Sequence, residues 1–157
     1  MPRHSYTKNL TKDDPMYDSH EVAKLINYIM VDGKKSIARG HVYSMMESLK
    51  KQGKDPMDVL STAIANVAPT HEVKPRRLGG ASYLVPTEVR RERKLFLALN
   101  WIVEAARSRS NKEYRSFQKK LESEILEAAS NQGQAVAKRA QTEKLADANK
   151  AFSHLKW

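Results

Sequence analysis

Residues 73–86 read VKPRRLGGASYLVP, two short runs flanking a glycine pair. A glycine pair supplies the positive φ that a two-residue hairpin turn of the primed type requires. Folding about Gly79-Gly80 sets Leu78 opposite Ala81, Arg77 opposite Ser82, Arg76 opposite Tyr83, Pro75 opposite Leu84, Lys74 opposite Val85 and Val73 opposite Pro86. Antiparallel pairs alternate between hydrogen-bonded and non-bonded, and the pair beside the turn is bonded. Both prolines therefore fall on non-bonded positions, where a backbone N–H would point outward. They cost the ladder nothing, and each removes an outward donor from its strand, which discourages a third strand from joining. An isolated two-stranded ribbon is at best marginal in water. It should lean on helices of its own chain at its base and meet a partner along its length.

The remaining periodicity agrees. Asp18-Ser19-His20-Glu21 resembles a capping box, and Val22, Leu25, Ile26, Ile29 and Met30 follow at helical spacing, predicting a first helix that stops near Gly33. Ala38, Val42, Met45, Met46 and Leu49 predict a second, ending near Gly53. Asp55-Pro56 supplies an N-cap and a first-turn proline for a third, with Val59, Leu60, Ala63, Ile64 and Val67 on its buried stripe. Leu95, Leu99, Ile102, Val103 and Ala106, broadened by Ala98 and Trp101, predict a central fourth helix. Ser110-Asn111-Lys112-Glu113 reads as a capping box for a fifth, carrying Phe117, Leu121, Ile125, Ala128 and Ala129 and stopping near Gly133. A sixth, from about Gln134 to His154, carries Val136, Ala140, Leu145, Ala148 and Phe152. The expectation is one domain over residues 1–157: a six-helix bundle with one protruding antiparallel β-ribbon at 72–90. Residues 1–17 are polar and aperiodic, either a basic extension that orders against a partner or a frayed terminus.

Charge narrows the partner. The chain has 28 Lys+Arg against 18 Asp+Glu, a formal +10, and such a field attracts nucleic acid or an anionic membrane surface. Seven cations lie in the ribbon and just after it: Lys74, Arg76, Arg77, Arg90, Arg91, Arg93 and Lys94. Against Glu88 and Glu92 they give +5, half of the total. One ribbon face would show Lys74, Arg76, Tyr83 and Val85, with Arg76 stacked on Tyr83 or on a base, and the other Val73, Pro75, Leu84 and Pro86. Planar arginines beside an aromatic on an edge-blocked protrusion suit contact with phosphates and bases better than a merely solvated face. The longest apolar stretch, Leu95 to Val103, is interrupted by Asn100 and falls short of the ~20 residues a membrane span needs. The opening Met1-Pro2-Arg3-His4-Ser5 has no apolar run behind it, so a soluble chain of the cytoplasm or an organelle matrix is expected.

Catalytic motifs are not found. There are no cysteines, which removes disulfides, thiolate metal sites and cysteine nucleophiles. In DGKKS, Asp32 to Ser36, a phosphate-binding P-loop would need glycine where Tyr28 stands and Ser or Thr where Lys35 stands. It reads as a helix-to-helix turn, plainly solvated or offering Lys34, Lys35 and Arg39 to phosphate. His4, His20, His41, His71 and His154 lack metal-ligand spacing, and Glu122 and Glu124 face apart on a helix. No cofactor, metal or small-molecule substrate is expected. Two rivals are weak. A DNA-binding helix-turn-helix would join the second and third helices, but the third is poor in base-reading side chains; an RNA-modifying enzyme would need a cofactor loop or paired acid and base.

Five stretches in consistent order carry a family resemblance: MPR at 1–3, MVDGKKS at 30–36, EVKPRRLGGASYLVPTEVR at 72–90, WIVEAAR at 101–107 and ANKAFSHLKW at 148–157. Through them the chain resembles the bacterial or organellar type of small-subunit ribosomal protein seven. That resemblance implies a six-helix protein with a β-ribbon that binds 16S-type ribosomal RNA in the 3′ major domain and nucleates assembly of the small-subunit head. It also implies a position near the exit-site tRNA and the mRNA path, with ribosomal proteins nine and eleven as neighbours. Carried over by position, Arg3, Lys8, Lys34, Lys35, Arg90, Arg91, Arg93 and Lys94 would meet ribosomal RNA. Lys74, Arg76, Arg77 and Tyr83 of the ribbon would face RNA or tRNA. Two positions depart from the family's habit: His4-Ser5-Tyr6 where further arginines often follow MPR, and Pro75 where serine often stands.

Overall fold

The computed structural model describes residues 11–155. In chain order it has α1 (His20–Ile29), α2 (Lys35–Lys51), α3 (Pro56–Val67), β1 (His71–Leu78), β2 (Ala81–Glu88), α4 (Arg91–Ser108), α5 (Phe117–Ala129), α6 (Gly133–Ala148) and a short 3-10 helix, Lys150–Leu155. The mainly helical fold with one two-stranded ribbon is the one the periodicity predicts.

Helix α4 is the axis of the bundle, packed against α1, α3, α5 and α6. It contributes Leu97, Ala98, Leu99, Trp101, Ile102, Val103, Ala105 and Ala106 to the interior. Around it, Leu25 and Ile26 of α1, Met45, Met46 and Leu49 of α2, Leu60 of α3, and Leu121 and Ile125 of α5 are buried almost completely. A side chain of this size contributes about 1.5–3 kcal/mol when fully removed from water, so this stripe-to-stripe contact holds the six helices together. The edge-to-face pair of Tyr28 and Phe96, centroids 5.5 Å apart, seats α1 on α4.

Strands β1 and β2 pair in the expected register, from Leu78↔Ala81 through Arg76↔Tyr83 to His71↔Glu88. Gly79 and Gly80 take φ of +55° and +90°, the left-handed values a primed turn demands and side chains resist. The ribbon packs on α6 and on the 3-10 helix. Its base is tied at two points. Glu143 of α6 accepts from the Thr70 N–H and hydroxyl, both at 3.0 Å, and Glu72 of β1 is ion-paired with Arg93 of α4 at 3.2 Å.

Four local expectations need correction. The N-cap of α1 is Ser19, whose Oγ accepts from Val22 N, while Asp18 adopts φ +44° outside the helix. Ser110 does not start a helix. Its Oγ accepts from Lys112 N, two residues on, closing a local turn that competes with a cap, and α5 begins only at Phe117. Helix α5 ends at Ala129, and the left-handed residue after it is Asn131; Gly133 opens α6. The sixth helix stops at Ala148 and tightens into the 3-10 segment. Its buried residues are Ala135, Val136 and Ala146, whereas Ala140, Leu145 and Ala148 are exposed, because only one end of α6 meets the bundle core and the other carries the ribbon.

Candidate nucleic-acid interface

Helix starts on this protein are capped in two ways. Ser19 and Asp55 bond the free N–H groups of α1 and α3, and the buried Glu124 carboxylate accepts from Ala135 N at 3.0 Å to serve α6. By contrast α2 starts on Lys34 and α4 on Arg90, neither with a side-chain cap. Lysine and arginine there oppose the helix dipole and lower stability by a few tenths of a kcal/mol or more each. First-turn N–H donors without a side-chain cap, surrounded by cations, suit a phosphate.

Lys34 and Lys35 are exposed on the turn between α1 and α2. Arg90 and Arg91 are exposed at the start of α4, and Lys94 is half-buried beside a cleft lined also by His20, Glu21 and Leu95. Arg93 is different. Its Nε donates to Glu72 Oε2 at 3.2 Å, and its guanidinium lies over the Phe96 ring, 4.9 Å from the centroid. Lys74 reaches the other oxygen of Glu72 at 3.3 Å. One buried carboxylate thus gathers the ribbon and the start of α4 into a single cationic surface.

The two helix starts do not form one cluster. Arg91 and Lys94 lie by His20 and Glu21, at the beginning of α1, whereas Lys34 shares a cleft with Arg107 near the end of α4. Ten residues of α1 separate the two ends, about 15 Å at 1.5 Å per residue. That spacing suits two backbone strands of folded RNA, or two turns of one.

On the ribbon, Arg77 and Lys74 are exposed, but Arg76, expected on an open face, is half-buried. Tyr83 is half-buried as well, and its ring meets Phe152 of the 3-10 helix at 5.3 Å between centroids. The face expected to present Lys74, Arg76, Tyr83 and Val85 is therefore the one turned toward the C-terminal segment, and Val85 is buried. The outer face carries Pro75, Arg77, Ser82 and Leu84, all exposed. Period-two alternation separates the faces of a ribbon but not which of them its own chain covers. Arg3 and Lys8 lie outside the described residues. The segment leading from them is tied down: the Asp14 carboxylate, buried, accepts from the Tyr43 hydroxyl at 2.9 Å and from Met16 N at 3.1 Å. Burial and the Asp14 hydrogen bond hold the Tyr43 hydroxyl's pKa above its ordinary value.

Arg107 was not anticipated. Its Nη2 donates to Ile29 O at 3.1 Å, closing the carboxyl end of α1. In sequence it looks like ordinary dipole compensation in the last turn of α4, and only the packing of α1 along α4, start beside start and end beside end, brings it beside Lys34.

A second polar cluster is structural. Arg109 Nε donates to Glu124 Oε2 at 2.9 Å, a second guanidinium nitrogen bridges Glu124 and Glu127, and Tyr114 and Ser123 complete the network. Burial disfavours the Arg109 charge, but the hydrogen bonds from Glu127 and Glu124 outweigh it and raise its pKa. Arg109 in turn, by hydrogen bond and charge, holds Glu127 below the ordinary carboxylate range. Among the described residues no group of His, Asp and Glu is placed to hold a metal ion, and no helix is long and apolar enough to cross a membrane.

A family model described as ribosomal protein S7p/S5e matches residues 1–150. The small ribosomal subunit protein uS7 of Thermoanaerobacter pseudethanolicus is 48% identical over 159 aligned residues, covering 100% of both chains. The uS7 of Moorella thermoacetica is 52% identical over 145 residues, 92% of this chain and 91% of the relative, and that of Acetivibrio thermocellus 49% over 159 residues, 100% of both. The chain belongs to the ribosomal protein S7p/S5e family, a family of structural, non-enzymatic components of the ribosome.

Proposed function

We propose that this protein is a primary binder of 16S-type ribosomal RNA in the small subunit of the cytoplasmic ribosome. It holds RNA strands of the 3′ major domain together so that the head of the subunit can assemble. The observation that carries the reading is the pair of uncapped, cation-bearing helix starts at Lys34-Lys35 and at Arg90-Arg91-Arg93-Lys94, with the ribbon fastened to the second through Glu72. Phosphate contacts of this kind fix position and register rather than base sequence, and structured RNA is recognised largely by shape. Arg3 and Lys8 add two further cations for the same RNA. The ribbon, with Arg77 on its outer face, Lys74 and Arg76 on the other, and Tyr83 bracing it against Phe152, points toward the exit-site tRNA and the mRNA path. Ribosomal proteins nine and eleven are its protein neighbours.

Filter binding to a transcript of the 3′ major domain, repeated across salt concentrations, tests this. Six phosphate contacts give a slope of log affinity against log salt of roughly −4 to −5. Replacing Lys34 and Lys35 by alanine should reduce the magnitude by about 1 to 2, as should replacing Arg91 and Lys94. A slope near zero for the wild type would refute the reading.

A further inference from the structure

The turn that exposes Lys34 and Lys35 also leaves two aliphatic side chains in solvent: Val31 is 55% exposed and Ile37 57%. They border a cleft of about 230 Å³ lined also by Lys34, His41, Arg107 and Phe117. The rings of His41 and Phe117 meet edge to face, 5.8 Å between centroids at 74°, so the cleft has a rigid aromatic wall. Arg107 is held at the rim by its Nη2 bond to Ile29 O, which leaves its other N–H groups uncommitted by that contact. Among the described lining residues the ionisable ones are a lysine, an arginine and a histidine, with no carboxylate.

Three properties decide the occupant. The cleft is smaller than the roughly 300–1,000 Å³ of drug-sized sites. It is also too short for a partner helix, which would lay successive i, i+3, i+4 and i+7 anchors along a groove. Its interior is apolar and aromatic while its rim is cationic, the pairing that suits a planar ring attached to an anionic backbone. We propose that this cleft receives a single unstacked RNA base, wedged between Val31, Ile37 and Phe117, with the adjoining phosphate on Lys34 and Arg107. The proposal rests on the ribosomal RNA reading above and adds a stacking contact to what is otherwise a set of phosphate contacts. Bases splayed from loops and bulges are the usual currency of sequence-specific RNA recognition, so this is where the surface would read RNA rather than only hold it.

The test uses the full chain, a 3′ major domain transcript, and the double variant Val31→Ser with Ile37→Ser, which keeps every cation. Loss of one base contact should weaken binding by about 5- to 150-fold while the salt slope stays that of the wild type. In parallel, chemical modification of the bases should show one position whose reactivity changes on wild-type binding and reverts with the variant. Both side chains are exposed, and circular dichroism checks that the helices persist. A change in affinity below twofold, with no base whose reactivity distinguishes variant from wild type, overturns the proposal. A variant that binds RNA normally but is excluded from reconstituted subunits also overturns it, by assigning the cleft to a protein neighbour. A wild type that does not bind the transcript removes the underlying RNA reading as well.

Discussion

Among the described residues Glu124 is the one fully buried carboxylate, and its two oxygens are both committed: Oε2 to Arg109, Oε1 to the N–H of Ala135. It joins the loop after α4, helix α5 and the start of α6 at a single side chain. The fit is close enough that a Cβ on Gly133 would stand 3.1 Å from Glu124 Oε1, at a φ of +91°. Replacing Glu124 by alanine strands a buried guanidinium and should cost about 3–5 kcal/mol, read by urea denaturation. Glu127, on the more exposed side of the same guanidinium, gives the cluster a pH dependence. Its pKa is lowered from the ordinary 4.5 chiefly by the Arg109 hydrogen bond. Its contribution is therefore complete above pH 4.5 and disappears as the pH falls through the depressed folded-state value. Thermal melts of wild type and Glu127→Gln should differ at neutral pH and converge in acid; a constant difference would show that the charge is not what matters. Sequence alone shows Glu122 and Glu124 pointing apart but not which is buried, because that depends on Arg109 folding back from a loop fifteen residues earlier.

At the scale of elements, the ribbon is the part most legible in the sequence and also the part most misjudged. Pairing about Gly79-Gly80, with Pro75 and Pro86 on outward positions, follows from strand geometry alone, and every predicted pair is present. Which face is covered does not follow, since it is decided by where α6 gives way to the 3-10 helix and delivers Phe152 to Tyr83. Ser110 misleads because its hydroxyl closes a local turn instead of a cap, and Ala140 and Leu145 because helical spacing does not tell which end of α6 meets the core. The consequences are measurable. Arg77→Ala should leave stability within about 0.5 kcal/mol, as exposed substitutions do, while reducing RNA binding. Phe152→Ala should speed amide exchange along residues 81–88 by removing an aromatic contact of about 0.5–1.5 kcal/mol. Equal exchange in the two proteins would mean that the ring does not brace the ribbon.

The whole molecule divides its labour between a packed interior and a cationic exterior. Leu99, Ile102 and Trp101 place α4 where four other helices close around it. Trp101→Ala should cost about 3–5 kcal/mol without changing the salt slope of RNA binding in whatever fraction remains folded. The bundle was readable in the sequence because amphipathic periods report burial directly. The two-ended arrangement of cations was not, since Lys34 and Arg107 become neighbours only after α1 packs along α4 with its end beside the end of α4.

Glu72 grips Arg93 with one oxygen and Lys74 with the other. A phosphate arriving at α4 competes with that carboxylate for the same guanidinium. Every degree to which Arg93 turns outward slackens the ribbon's mooring. If RNA binds at the start of α4 as proposed, docking there and the tether of the ribbon's base to α4 would be one equilibrium, the phosphate drawing Arg93 away from Glu72.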